Sequence, residues 1–252
     1  MTHKTPPEHY KGKSAAAHLK DARRRGAIAT SEVHGAELPG HISAGADSAK
    51  EVAVIYLIIW AIGTPLGLQN SLLLTLFISF GLAIFLWKMG RSALLGWGRL
   101  ERLHNLIEEE RWEIEHHRQQ EKEELKEMYA AKGFTGKLLD DVVDVLIADD
   151  NRLLRVMLEE ELGLSLEVYE HPLKQALGAA LGAFVAAGLA CLFAYFWPLL
   201  GIPLTTIFIV AVASNTTAKL EKRGQISSIV WNLSLSLLSG ATAYFLTELI
   251  SP

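Results

Sequence analysis

The feature that most constrains this chain is a set of long, almost uncharged apolar runs. The first two are 52–68, "VAVIYLIIWAIGTPLGL", and 71–89, "SLLLTLFISFGLAIFLWKM", the second extending toward Trp97. Three more follow at 173–197, about 202–218 and about 226–250. Runs of ~17–25 apolar residues match the hydrocarbon thickness of a bilayer rather than the amphipathic stripe of a soluble core. Five runs predict an all-α, polytopic membrane protein with five transmembrane helices, its lipid partner being the bilayer itself. Gln69 and Asn70 supply a tight turn between the first two.

Lysine and arginine placement orients the spans. Residues 1–51 hold Lys4, Lys11, Lys13, Lys20, Arg23, Arg24, Arg25 and Lys50, and 218–225 hold Lys219, Lys222 and Arg223. The turns at 69–70 and 198–203 hold none, nor does the tail after Leu249. All basic loops fall on one side if the N-terminus is cytosolic, which also puts the segment between spans two and three in the cytosol. The chain then divides into a basic cytosolic arm (1–50), spans one and two (51–97), a cytosolic helical insert (98–170) and spans three to five (171–252). No signal peptide is visible, since the stretch after Arg25 is too polar for a secretory core. The expected location is the inner cell membrane or a vacuole-type membrane. Trp97, Trp197 and Trp231 suit the interfacial belt. Gly178 and Gly182 form a G-x-x-x-G in span three, open to two readings: a dimer face, or close packing within one chain. Cys191 is the single cysteine and forms no intrachain disulfide.

The insert differs sharply in composition. Residues 91–170 hold twenty acidic and eleven basic residues, opposite in sign to the arm. An acidic surface near a cytosolic leaflet is repelled by anionic headgroups and attracts cations. The spacing predicts one helix running out of span two to Lys132, stopped by Gly133. After the turn "GFTG", "KLLDDVVDVLIA" places Leu138, Leu139, Val142, Val143 and Leu146 on an apolar face. Asp149 and Asp150 open a third helix, which Gly163 ends.

On the long helix Glu110 and Glu113 are three apart, as are Glu121 and Glu124. The pairs are eleven residues apart, close to three turns, so the four carboxylates share a stripe within roughly 80°. His117 lies midway and Met128 one turn on. Like charges so placed destabilise a bare helix by a few tenths of a kcal/mol per pair. The positions four residues on, where a lysine would help, hold Ile114, His117, Leu125 and Met128. A bound hard cation would offset the repulsion; the alternative is a solvated face.

The whole stretch 101–164 resembles the cytosolic metal-binding domain of the vacuolar iron transporter family, which has five spans and a helical insert between spans two and three. Glu110-x-x-Glu113 and Glu121-x-x-Glu124 match that family's glutamate pairs. "EELKEMYAAKGF" is similar to its helix end and turn, and "RVMLEEELGL" matches its closing helix. The resemblance adds Met157 and Glu161 to the metal ligands Glu110, Glu113, Glu121 and Glu124. Leu158 stands where a second methionine often follows, with Glu160 or His117 as substitutes. The resemblance implies a homodimer that moves Fe2+ or Mn2+ out of the cytosol, exchanging for protons. A thioether beside carboxylates favours Fe2+ over Mg2+ or Ca2+, and other divalent ions such as Zn2+ are admitted. The family's acidic residue in span one has no counterpart between Val52 and Leu68, and the charge in span two is Lys88, beside Met89. Asp47 and Glu51, just before span one, are the displaced analogues.

Glu101-x-x-His104 and Glu113-x-x-His116 fit the motif of di-iron bundles, but both lie on one helix and the further glutamate-bearing helices are missing. The chain is therefore not expected to be an enzyme, nor to bind nucleic acid. His3, His9, His18, His34 and His41 are scattered through the arm, which reads either as having no fixed role or as a weak metal collector. Two other functions stay open: a metal-binding membrane protein that buffers or senses without transporting, and a structural membrane protein whose acidic bundle docks a basic partner.

Overall fold

The computed structural model describes residues 15–30, 40–164 and 171–251, and among them every regular element is a helix. These are α1 (Ala15–Thr30), α2 (Gly40–Gly63), α3 (Asn70–His116), α4 (Arg118–Ala131), α5 (Gly136–Ile147) and α6 (Asp150–Val156), which runs on as a π-helical turn, Met157–Glu161. Then come α7 (Pro172–Phe196), α8 (Gly201–Leu220) and α9 (Gln225–Ile250). Two units result. The apolar unit holds α2, α3 up to Trp97, α7, α8 and α9; the acidic unit holds α1, α3 from Gly98, α4, α5 and α6 with its π turn. Of the arm's histidines, His3, His9 and His34 lie outside the described residues.

In the apolar unit, α3, α7, α8 and α9 are long and apolar enough to cross a membrane. Large side chains such as Leu82, Trp87, Phe184, Phe208 and Leu238 face outward, an arrangement unfavourable in water and matched by lipid. Packing inside lipid gains little from the hydrophobic effect and relies on close backbone approach. On α7, Ala176, Ala179, Ala183, Ala186 and Ala190 form a buried small-residue face. Here α2 comes so near that a Cβ on Gly178 or Gly182 would sit 2.0 Å from the carbonyl oxygen of His41 or Gly45. The G-x-x-x-G is therefore spent on packing within the chain, not left open as a face for a second copy.

The centre of this unit is α2, with Val52, Ala53, Tyr56 and Leu57 buried. Tyr56 stacks on Phe77 at 5.0 Å and donates to the Phe77 carbonyl at 2.5 Å, and the Thr206 hydroxyl donates to the Ala53 carbonyl at 3.1 Å. The sequence places a span over 52–68; the helix instead starts at Gly40 and ends at Gly63. Pro65 follows, and Gly67 takes a φ of 64° in the turn. Asp47, Lys50 and Glu51 lie within α2. Lys50 sits 2.8 Å from Asp47, and Lys88 pairs with Glu51.

The acidic unit has a conventional apolar interior. Leu19, Ile114, Leu125, Met128, Val143, Leu153 and Met157 pack together, and beside them Ala22, Leu103, Leu158, Leu162 and Leu164. The expected helix to Lys132 is broken at His117, whose φ of −127° and ψ of 30° leave the helical region, so α4 starts on a new heading. The anticipated stops hold: Gly133 has a φ of 96° and Gly163 a φ of 65°. Asp149 caps α6, accepting from the Arg152 amide at 2.8 Å. The basic arm is more than a tether, because α1 buries Leu19 and Ala22 and brings Arg25 to 2.9 Å from Glu109. Gly26 permits this: a Cβ there would meet the Leu162 carbonyl oxygen at 1.8 Å.

Candidate metal centre

Glu110 and Glu113 on α3, Glu121 and Glu124 on α4 and Glu161 at the π turn are all buried, between 0% and 5% exposed. A solvated acidic face would leave them in water, so that alternative fails on burial. Carboxylate oxygens of Glu110, Glu121 and Glu161 lie within 4.8 Å of one another. A second group, His18, Glu124 and Glu161, meets the same limit, so Glu161 belongs to both. Among the glutamates, Glu161 arrives from the segment most distant in sequence from the α3 pair. The turn that carries it has the π-helical register often seen at functional sites, with the Leu162 amide donating to the Met157 carbonyl at 3.1 Å.

The electrostatics decide what this cluster can hold. Two unit charges about 4.8 Å apart repel by about 3 kcal/mol at an effective dielectric near 20. Three ionised carboxylates would cost on the order of 10 kcal/mol, comparable to the whole stability of a domain. A proton or a bound cation would relieve that repulsion. Burial holds the Glu161 carboxyl well above the usual carboxylate range, and repulsion from Glu110, Glu124, Glu121 and Glu113 adds to it. Glu161 Oε2 has no hydrogen-bond partner among the described residues.

The basic side chains nearby serve the rim. Lys122 lies 2.6 Å from Asp144, Lys126 2.6 Å from Asp140 and Arg118 2.5 Å from Asp150, and Lys132 pairs with Glu160. Among the described residues, the buried ionisable side chains of this unit are the five glutamates and His18.

Of the four stripe glutamates, Glu110, Glu121 and Glu124 supply grouped ligand atoms, as does Glu161, which the resemblance added; Glu113 is buried close enough to act on the Glu161 charge. Met157 is fully buried within the apolar cluster of Leu125 and Leu153. Neither substitute for the second methionine is among the grouped ligands: Glu160 pairs with Lys132, and the His117 ring meets Trp112 edge-on at 5.3 Å. Leu158 packs with Ala22 and Leu103. The di-iron motif residues Glu101, His104 and His116 are exposed, His116 stacking on Trp112 at 4.4 Å. The residue that sequence reasoning missed is His18, whose Nε2 lies 3.5 Å from Glu161 Oε1. Its one signal was position: His18, Leu19, Ala22 and Gly26 follow helical spacing.

A comparison with curated proteins finds no match. The sequence profile of the VIT family matches residues 99–250, from the acidic stretch of α3 to the end of α9. That covers more than half of the chain and includes all five clustered glutamates, so this is a membrane protein of the VIT family, a family of metal-ion transporters.

Proposed function

We propose that the protein transports Fe2+ or Mn2+ out of the cytosol, exchanging for protons, and that its acidic unit captures the ion first. The observation that carries this reading is the burial of five glutamates around a common space in a chain of a metal-transporter family. Carboxylate oxygens suit hard and borderline divalent ions, and Met157 is the candidate thioether that would bias the site toward Fe2+. Zn2+ is a further candidate substrate. The protein works as a homodimer in the inner cell membrane or a vacuole-type membrane, with the N-terminus and the acidic unit cytosolic.

Parity supports five crossings rather than four. Because α1 packs in one unit with α4, α5 and α6, these segments share a side of the membrane. The chain between them must cross an even number of times. The apolar part of α3 crosses once, so α2 supplies the other crossing. Twenty-four residues of α2 span about 36 Å at ~1.5 Å each, enough for a bilayer. Helices α7, α8 and α9 pack around it, so its charged residues need not face lipid.

A pocket of about 460 Å³ in the apolar unit is lined by Asp47, Glu51, Asn232, Ser236 and Ser239 among others. These oxygens are the candidate membrane-side ligands. Lys50 and Lys88 already neutralise the two carboxylates, so an entering cation must displace an ammonium group. That observation favours the second reading, a buffer or sensor that holds metal without moving it.

The test is Fe2+ or Mn2+ uptake into proteoliposomes, with and without a proton gradient, by wild type and Glu51→Gln. Gradient-dependent uptake that Glu51→Gln abolishes is the expected result. Stoichiometric binding without uptake by the wild type would select the buffer or sensor. Uptake unchanged in Glu51→Gln would keep transport and discard this pocket.

A further inference from the structure

We propose that His18 is a metal ligand, so that the N-terminal helix α1 completes the ion site formed by the glutamates of α3, α4 and the π turn. The inference rests on the capture reading above and adds to it a nitrogen donor from outside the stretch that matches the family, which begins at residue 99.

Three observations carry it. First, the distances fit. Ligand atoms sharing one ion at about 2.1 Å lie roughly 3–4 Å apart. His18 Nε2 is 3.5 Å from Glu161 Oε1, and a Glu124 oxygen completes a group within 4.8 Å. Second, the position is enclosed. His18 is 7% exposed, Glu124 0% and Glu161 1%, and Glu161 Oε2 has no hydrogen-bond partner among the described residues. Third, α1 is fixed by contacts that owe nothing to His18. Leu19 and Ala22 are buried, Gly26 lies against the Leu162 carbonyl, and Arg25 pairs with Glu109. The helix is thus held with one imidazole facing the carboxylates.

An imidazole changes the selectivity of the site. Oxygen-only sites suit Mg2+, Ca2+ and Mn2+, whereas a nitrogen donor strengthens binding of later first-row ions such as Fe2+, Co2+ and Zn2+. The ligand class is therefore a borderline divalent cation held by mixed carboxylate and imidazole donors. Since Glu161 belongs to both ligand groups, it is the residue able to bridge two ions.

The experiment uses the full chain in detergent, loaded with one equivalent of Mn2+ and read by electron spin-echo envelope modulation. A coordinated imidazole imprints 14N modulation on the Mn2+ echo. The expected result is 14N modulation in the wild type, lost in His18→Gln and kept in His117→Gln. Labelling the wild type with 15N-histidine should replace the pattern, which identifies histidine without any substitution. In calorimetry, His18→Gln should weaken Co2+ binding about tenfold and Mn2+ binding less than threefold, as expected when a nitrogen donor is lost. Bound Mn2+ without histidine modulation, or modulation that survives His18→Gln, overturns the role of His18 and leaves capture by the glutamates intact. A wild type that binds no Mn2+, Co2+ or Fe2+ overturns both.

Discussion

In the apolar unit, Lys88 is set against Glu51 and Lys50 lies 2.8 Å from Asp47, so each carboxylate of α2 has an ammonium group for company. In the acidic unit Lys122 and Lys126 pair with Asp144 and Asp140 at the rim, and among the described residues the buried ionisable side chains are five glutamates and His18. One unit carries its counter-charge in its own sequence. The other gathers carboxylates of one sign, where protons or an ion from solution would restore the balance. Buried charge of one sign is expensive, and a fold retains it only where something outside the chain restores the balance. On the proposed reading, the acidic unit would take up a cation directly, whereas the pocket of the apolar unit would first have to release an ammonium group.

The largest effect should come from removing charge at the shared carboxylate. Glu121→Gln with Glu161→Gln in the full chain should weaken Fe2+ or Mn2+ binding by about 100-fold or more, because ligand charge sets divalent affinity. The same change should raise the melting temperature of the ion-free protein, since repulsion is relieved. Glu108→Gln with Glu115→Gln removes two exposed charges and should change affinity no more than about twofold. Equal losses in calorimetry would reduce the cluster to diffuse attraction.

Next comes the lysine pair. The Lys88 side chain is 8% exposed and that of Glu51 49% exposed. Glu51→Gln strands a buried ammonium and should cost about 2 kcal/mol, whereas Lys88→Met leaves a half-exposed carboxylate and should cost under about 1 kcal/mol. Unfolding in mixed micelles measures both. If Lys88→Met were the more damaging, the counter-charge account of the apolar unit would be wrong.

The pH dependence is smaller and has a definite sign. Glu161 has a folded pKa raised above its ordinary value of 4.5. Its contribution to ion-free stability is full below the unfolded value and is lost as pH rises through the folded one. One such group gives a slope of at most ~1.4 kcal/mol per pH unit. Bound metal keeps the carboxylate ionised, so the gap between ion-free and loaded melting temperatures should widen with pH. A gap that stays constant from pH 5 to pH 8 would mean that Glu161 is not a ligand.

The rim should matter least. Asp140 holds the Lys126 ammonium above its usual range, and Lys126 holds the Asp140 carboxyl below its own, yet both groups sit in water. Lys126→Ala should leave the melting temperature unchanged within error. A clear drop would make the rim part of the site.

The two glutamate pairs were legible because E-x-x-E on a helix advertises its face by spacing alone, although the single helix that was to carry both is broken between them; the glycine stops followed from a conformation few other residues adopt. The break at His117 left no such mark. It separates α4 from α3, and α4 then packs against α5, α1 and the π turn, partners distant in sequence from the break or not visible in its local pattern. Helix α1 was missed because its buried face is Leu19, Ala22 and Gly26, too small to register as an apolar stripe, and its partners lie far away in sequence. His18 accordingly looked like one of five scattered histidines. The first half of α2 was missed for a related reason: backbone packed on backbone at Gly45, Gly178 and Gly182 leaves no hydrophobic run to read.

The split membership of the acidic unit also sets an order of events during synthesis. Helix α1 leaves the ribosome before α2 and α3 exist, and the clusters that bury Leu19 and Ala22 are complete only once Met157 and Leu164 have been made. Glu161 is among the last residues of the unit to appear. On the five-crossing reading proposed above, a chain in which one of α2 and α3 alone failed to cross would leave α1 on the opposite side from its neighbours, and the acidic unit would not close. On that reading, closure of the acidic unit would report that α2 and α3 cross, or fail to cross, as a pair.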